Sequence, residues 1–327
     1  MRNNIPEADE LLDRYFPVLD GGFIALKDYM GSDEGIASAA RNSYAKGTKK
    51  VSDDRGLIRR LMRDSHTSPI EFAEMQFHVR APLYTVQQWL RHRTSNFCQE
   101  SHRFSEVKND YQMTLAEDWR KQSKTNKQGS SDFIDKETGQ SFTNKEKKLH
   151  EHLRLVYDER ISSGMAREQA RKDIPVSTYS SLYIKSDLHN LLHFLKLRTA
   201  LDAQLEIRMY ADIMLAMVKK VFPICYEGFV DYSYAAVKFT RLDIDFLNYI
   251  TLYYCSKGNE FETWKDRKLA YEQNGHAEHT LIGMGDKEYE EFWGKLEVKH
   301  RPSFELDITK SKSPKEITEF LKKQRGI

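Results

Sequence analysis

Residues 91–105 read RHRTSNFCQESHRFS, two arginines around a histidine followed by a serine, a second histidine and a third arginine. A guanidinium is a rigid donor fork that matches phosphate and also lies flat against a planar ring. Arg91, Arg93 and Arg103, with Ser101, Ser105 and the intervening amides, therefore suit a phosphorylated ligand. A second set stands downstream, where Arg171 precedes Pro175 and DLHNLLHFLKLR (187–198) carries His189, His193 and Arg198. His189 and His193 are four apart and share a helix face. The bland alternative is a solvated helix end, because cations are favoured at a helix C-terminus, and on composition alone that reading is the stronger.

Other chemistries find less support. His189 and His193 lack the glutamate of an HExxH zinc site, with Asn190 in its place, and no third ligand stands at a telling spacing, so no metal is expected. Cys98 has cationic neighbours that could activate a thiol, but the favoured reading is a small buried side chain. Neither GxGxxG, GxxxxGK[ST] nor GxSxG occurs.

The elements that must hold these residues follow from periodicity. DEGIASAARNSY (33–44) and DDRGLIRRLMRD (53–64) open on acidic residues and predict helices. Met75, Phe77 and Val79 alternate with Gln76, His78 and Arg80, as in a half-buried strand. Pro82 then starts a helix with Leu83, Val86 and Leu90 on one face, ending near Arg91–Arg93, so the arginine-rich stretch is the loop that follows. Residues 121–148 are polar and aperiodic and predict an inserted surface loop. Helical pattern resumes at 149–164, with Gly164 as a C-cap, and at 165–172. Residues 186–222 predict one long helix or two, with Asp187 as a cap.

The chain of 327 residues balances Lys+Arg 51 against Asp+Glu 49, a net charge of +2. Any anion site must therefore be local, and nucleic acid is not an expected partner. The three cysteines, Cys98, Cys225 and Cys255, form neither a disulfide framework nor a metal knuckle. With an acidic N-terminal segment and no run of about 18 apolar residues, a cytoplasmic protein without membrane partners is expected.

The spacing Arg91-His92-Arg93, seven residues, Ser101 resembles the RHRx7S signature of the flavin-dependent thymidylate synthases. HTSPIEF (66–72) resembles the family's H-x-[TS]-P-x-E segment, QQWLRHR (87–93) its RQWxRHR helix, and AREQARKDIP (166–175) its RE-x-AR-x-x-x-P. DLHNLLHFLKLR and AQLEIRMYA (203–211) are similar to the helices that close its active site. The resemblance implies an α+β catalytic domain over residues 20–233, a central mixed sheet flanked by long helices, interrupted by the 121–148 insertion. Residues 235–327 would be a C-terminal extension of unassigned role.

The same resemblance implies a homotetramer whose active sites are shared between subunits and hold FAD. 5,10-Methylenetetrahydrofolate would give its carbon to C5 of dUMP, with NADPH reducing the flavin, which passes hydride to the pyrimidine and carries the one-carbon unit on N5. It assigns the flavin to Arg91, His92, Arg93 and Thr94, with Ser43, Ser68, Glu71, Gln99, His189 and His193. It assigns the nucleotide to Gln88, Arg91, Gln99, Glu100, Ser101, His102, Arg103, Arg171 and Arg198. Arg198 would polarise the pyrimidine, and Ser101 would orient the substrate rather than attack it. His102 would point away from Ser101 if that segment is extended.

Departures from the family pattern are Cys98-Gln99 where Asn-Glu is usual, Asp202 where the usual residue is histidine, and Phe104 in place of tyrosine. They keep open an acceptor such as UMP or dCMP, methylated or hydroxymethylated, or a catalytically inactive nucleotide- or RNA-binding homologue.

Overall fold

The computed structural model describes residues 4–42, 51–124, 126–244, 246–247, 290–292, 295 and 312. In chain order the elements are α1 (Pro6–Asp9), β1 (Tyr15–Val18), β2 (Gly22–Met30), α2 (Asp33–Asn42) and α3 (Val51–Arg63). Then follow β3 (Glu74–Pro82), α4 (Leu83–Trp89), β4 (Asn96–Gln99), β5 (Arg120–Gln122), β6 (Ser130–Phe133) and α5 (Lys136–Ser162). The last are α6 (Arg167–Ala170), β7 (Tyr179–Asp187), α7 (Leu188–Arg198), α8 (Leu205–Val221) and α9 (Pro223–Phe229). Two compact units divide the chain, residues 1–233 with 304–327, and residues 234–303. In the second, Lys295 pairs with Asp243 and the Phe246 and Phe292 rings meet edge-on at 5.1 Å.

The fold is α+β, as expected, around a five-stranded sheet ordered β1-β2-β3-β7-β4. Every named pairing in it is antiparallel, where a mixed sheet was expected. The β1–β2 pair is a hairpin, and the longer excursions between β2, β3 and β7 each bring the next strand back reversed. Alternation decides the two faces. Ile24, Leu26, Met75, Phe77, Val79, Leu182 and Ile184 form one buried face. The register aligns Tyr15, Ala25, His78, Tyr183 and Cys98 in one row on the other. Lys312 exchanges two 2.7 Å backbone hydrogen bonds with Tyr15 and so pairs the outer edge of β1.

A buried polar knot ties the sheet to its loops. The Arg80 guanidinium binds Asp110 and the Gly21 carbonyl and lies 4.4 Å from the Tyr179 ring centroid. Tyr179 donates to Asp20 at 2.5 Å, and Tyr210 on α8 donates to the Arg80 carbonyl at 2.7 Å.

The 121–148 insertion is not an aperiodic loop. It holds the β5–β6 hairpin and the first half of α5, a helix of 27 residues that runs on through the expected 149–164 segment. Asp135 caps it by accepting from the Thr138 amide at 2.8 Å. The amphipathic signal is missing because this half is mostly exposed, and its one buried position is Gly139. A Cβ there would collide with the Ala116 carbonyl. Gly164, at φ +80, ends the segment as expected. The 165–172 helix is shorter, a single turn of α6 followed by a 3-10 turn at Arg171–Asp173.

Candidate functional site

Pro82 leaves β3 in an extended conformation and α4 begins at the next residue. The helix stops at Trp89, a turn earlier than expected. Trp89 is buried, stacked on Phe194 of α7 at 5.4 Å and 4°, with the Tyr210 ring edge-on against it. This aromatic clamp fixes the end of α4 against α7, so Arg91–Arg93 leave the helix beside the C-terminal turn of α7. The following stretch is not all loop, because Asn96–Gln99 form β4 on the edge of β7.

His92 sits half-buried where these elements meet, edge-on to Phe194 at 4.8 Å and 6.3 Å from the His193 ring. Arg198 donates from Nε to His92 Nε2 at 3.1 Å and reaches the Gln88 carbonyl at 3.5 Å. Burial, then the Arg198 charge, then His193 push His92 down to about 4, so the ring is neutral at pH 7. Because Nε2 accepts, the ring proton resides on Nδ1. Arg91, Arg93 and Thr94 are exposed, and neither arginine has an ion-pair partner among the described residues. The Gln88 amide binds Gln204.

Asp187 caps α7 as expected, accepting from the Asn190 amide at 2.9 Å. His189 and His193 then line one cavity of about 230 Å³ together with Thr67, Lys196 and Tyr232. Glu71 accepts from Thr67 at 3.0 Å in a turn packed on α7, and Ser68 is exposed beside it. Ser43 lies outside the described residues.

A second cluster lies across β4. Gln99, Glu100, Ser101, His102 and Arg171 line an open cleft of about 610 Å³, with Leu83, Glu168, Lys172 and Ile174. The Gln99 amide donates to Ser180 at 2.9 Å, and the Glu100 backbone amide donates to the Ser181 carbonyl at 2.8 Å. Ser101 opens a turn rather than an extended segment: the Phe104 amide donates to its carbonyl at 3.1 Å and the Arg103 amide to its Oγ at 3.3 Å. Arg103 is not part of the cleft wall; it pairs with Glu168 at 2.9 Å. Cys98 is exposed rather than buried, because it falls on the open face of an edge strand.

Within one chain the two clusters stay separate: Arg198, Gln88 and His92 form one, and the Gln99–Arg171 cleft the other. Lys172 and Glu168 also line the cleft and Thr67 the cavity on α7, though nothing in the sequence alone singles them out beyond the signal of lying inside or next to the quoted motifs. Ser180 and Ser181 had no such signal, since only β7–β4 pairing brings them to the cleft.

The donor set fits a flavin nucleotide. Two exposed cations with no ion pair among the described residues suit a diphosphate, and a neutral imidazole with a histidine-lined cavity on α7 suits a planar ring and its hydroxylated chain.

Comparison with known proteins agrees. The family model described as thymidylate synthase complementing protein matches residues 25–224. A flavin-dependent thymidylate synthase of Wolbachia pipientis wMel is 43% identical over 299 residues, covering 90% of this chain and 95% of that one. One from Dictyostelium discoideum is 39% identical over 268 residues, covering 80% and 88%. Among solved structures, the UMP/dUMP methylase PolB from Streptomyces cacaoi, bound with 5-Br UMP, superposes with a TM-score of 0.60 at 32% identity. That match covers 67% of this chain and 98% of PolB. Signature, fold and relatives converge, and the chain belongs to the flavin-dependent thymidylate synthase family of enzymes.

Proposed function

We propose that this enzyme methylates dUMP to dTMP with FAD as cofactor, 5,10-methylenetetrahydrofolate as carbon donor and NADPH as reductant. The observation that carries the reading is the seat of Arg198 on neutral His92, between the RHR turn and α7. When bound, the flavin supplies hydride chemistry that no side chain can. The chain's own residues bind and polarise. Arg91 and Arg93 hold anionic groups of the cofactor, and His189 and His193 bound the cavity on α7.

Arg198 stays cationic although burial lowers it from its ordinary value. His92, itself uncharged, orients Arg198 without neutralising it. A fixed guanidinium beside the pyrimidine stabilises negative charge as it develops on the ring. Ser101, Arg171 and Lys172 take the nucleotide phosphate, and Gln99 and Glu100 line its approach. The two clusters complete one site in a homotetramer whose subunits each contribute part of it. Residues 20–233 form the catalytic domain and residues 235–327 an extension to it. A cytoplasmic setting suits this chemistry; among the described residues no helix is long and apolar enough to cross a membrane.

The test is direct. Purified protein is yellow, and adding methylenetetrahydrofolate and NADPH releases tritium from C5-labelled dUMP. A colourless protein that cannot be loaded with FAD refutes the reading. UMP is the second acceptor to test, because Gln99 replaces the family's carboxylate and PolB is named for both nucleotides. Parallel turnover of dUMP, UMP and dCMP separates these acceptors.

A further inference from the structure

The cleft holding Ser101 contains one histidine whose chemistry is unused. His102 is 5% exposed, and both its ring nitrogens are buried without a hydrogen-bond partner. Buried polar atoms are ordinarily satisfied, and an unsatisfied pair in a cleft wall points to a missing partner.

The charges around it identify that partner. Two carboxylates line the cleft, and each is already engaged by a cation outside the lining: Glu100 by Lys108 at 3.2 Å, and Glu168 by Arg103 at 2.9 Å. Arg171 and Lys172 line the same cleft and have no ion pair among the described residues. The cleft therefore carries two uncompensated positive charges, a serine hydroxyl and an unsatisfied imidazole, a donor set for a phosphate monoester dianion.

We propose that His102 is a proton-linked phosphate ligand: it binds the nucleotide phosphate as an imidazolium, so nucleotide binding takes up a proton. This rests on the proposed nucleotide-binding role of the same cleft. The groups facing His102 are Glu100 at the end of β4, Lys108 in the following loop, Arg171 after α6, and Glu168 and Lys172 beside them. In the free enzyme burial dominates and holds the ring below its ordinary value; Glu100 opposes this, while Arg171 and Lys108 add to it. A dianion arriving at Arg171 reverses that balance and favours the charged ring. Affinity then falls as pH rises from neutrality, because each binding event needs a proton that becomes scarcer.

The FAD-loaded enzyme is titrated calorimetrically with dUMP at pH 7.5 in buffers of differing ionisation heat. A free phosphate monoester, with its second pKa near ~6, is already mostly dianionic there. Wild type is expected to take up on the order of one proton per site, and its Kd to weaken by up to about tenfold per pH unit above neutrality. His102→Gln keeps an amide donor but cannot titrate, so it binds with no proton uptake and a flat pH profile. Wild-type binding without uptake, or equal uptake by H102Q, overturns the inference and leaves the proposed reaction standing. Absence of dUMP binding overturns both. If H102Q does not fold, the wild-type Kd decides alone, and a flat profile from pH 7 to 8.5 overturns the inference.

Discussion

The guanidinium of Arg198 donates to Nε2 of His92 at 3.1 Å, a cation resting on a neutral ring 106 residues away in sequence. The contact joins the end of α7 to the turn after α4. It exists because Trp89 and Phe194 stack one turn earlier on the same two helices.

Replacing Arg198 tests this contact as chemistry. Arg198→Ala is expected to lower kcat/KM by about 10²–10³-fold, the effect of removing one preorganised charge donor. FAD content, read from the absorbance spectrum, should stay within about twofold of wild type, since the flavin contacts proposed above lie mainly on other residues. Activity within a few-fold of wild type removes Arg198 from its assigned role.

The neutral histidines set an acid limit. Burial first, and then neighbouring cations, push His92 and His78 down to about 4 from 6.5. Below pH 6.5 the unfolded chain binds protons these rings do not, so stability falls as pH drops from 6.5 towards 4 and is restored above 6.5. The melting temperature should decline over that window. His78→Gln, which keeps a partner for the Ser181 hydroxyl now 2.8 Å from His78 Nε2, should flatten part of the decline.

Arg80 and Asp110 form a buried pair, with side chains 6% and 8% exposed. Removing one charge strands the other, which costs about 3–5 kcal/mol. Asp110→Ala should therefore lower the denaturant midpoint by far more than Asp64→Ala, whose partner Arg63 is exposed. Equal effects of the two changes would show that the knot does not hold the sheet.

Gly139 tests the insertion. A Cβ there meets the Ala116 carbonyl, so Gly139→Ala should destabilise α5 against its loop even though alanine is the better helix former. Trp119, whose indole donates to Thr143 on α5 at 3.0 Å, reports the change by fluorescence. A more stable protein with an unchanged spectrum would contradict this packing.

Gln99 tests acceptor choice. Its amide donates to the Ser180 hydroxyl at 2.9 Å, whereas an ionised glutamate could only accept from that hydroxyl, which reverses the bond. Gln99→Glu should shift the ratio of dUMP to UMP turnover, measured in one competition assay. An unchanged ratio assigns specificity to other residues.

Local chemistry was legible in the chain alone. The RHRx7S spacing, the Asp187 cap, the alternation of Met75, Phe77 and Val79, and the shared face of His189 and His193 all depend on residues a few positions apart, and all reappear in the fold. The exposed half of α5 was not legible, because a helix that buries only a glycine there leaves no apolar period. The exposure of Cys98, the antiparallel pairing of the sheet, and the meeting of Ser180 with Gln99 depend on which strand lies beside which. That is long-range information. So is the pairing of Glu100 with Lys108 and of Glu168 with Arg103, which leaves Arg171, Lys172 and His102 with the uncompensated charge and donors of the cleft. The sequence by itself determined which groups were available for chemistry; tertiary packing decided which were already spent on one another.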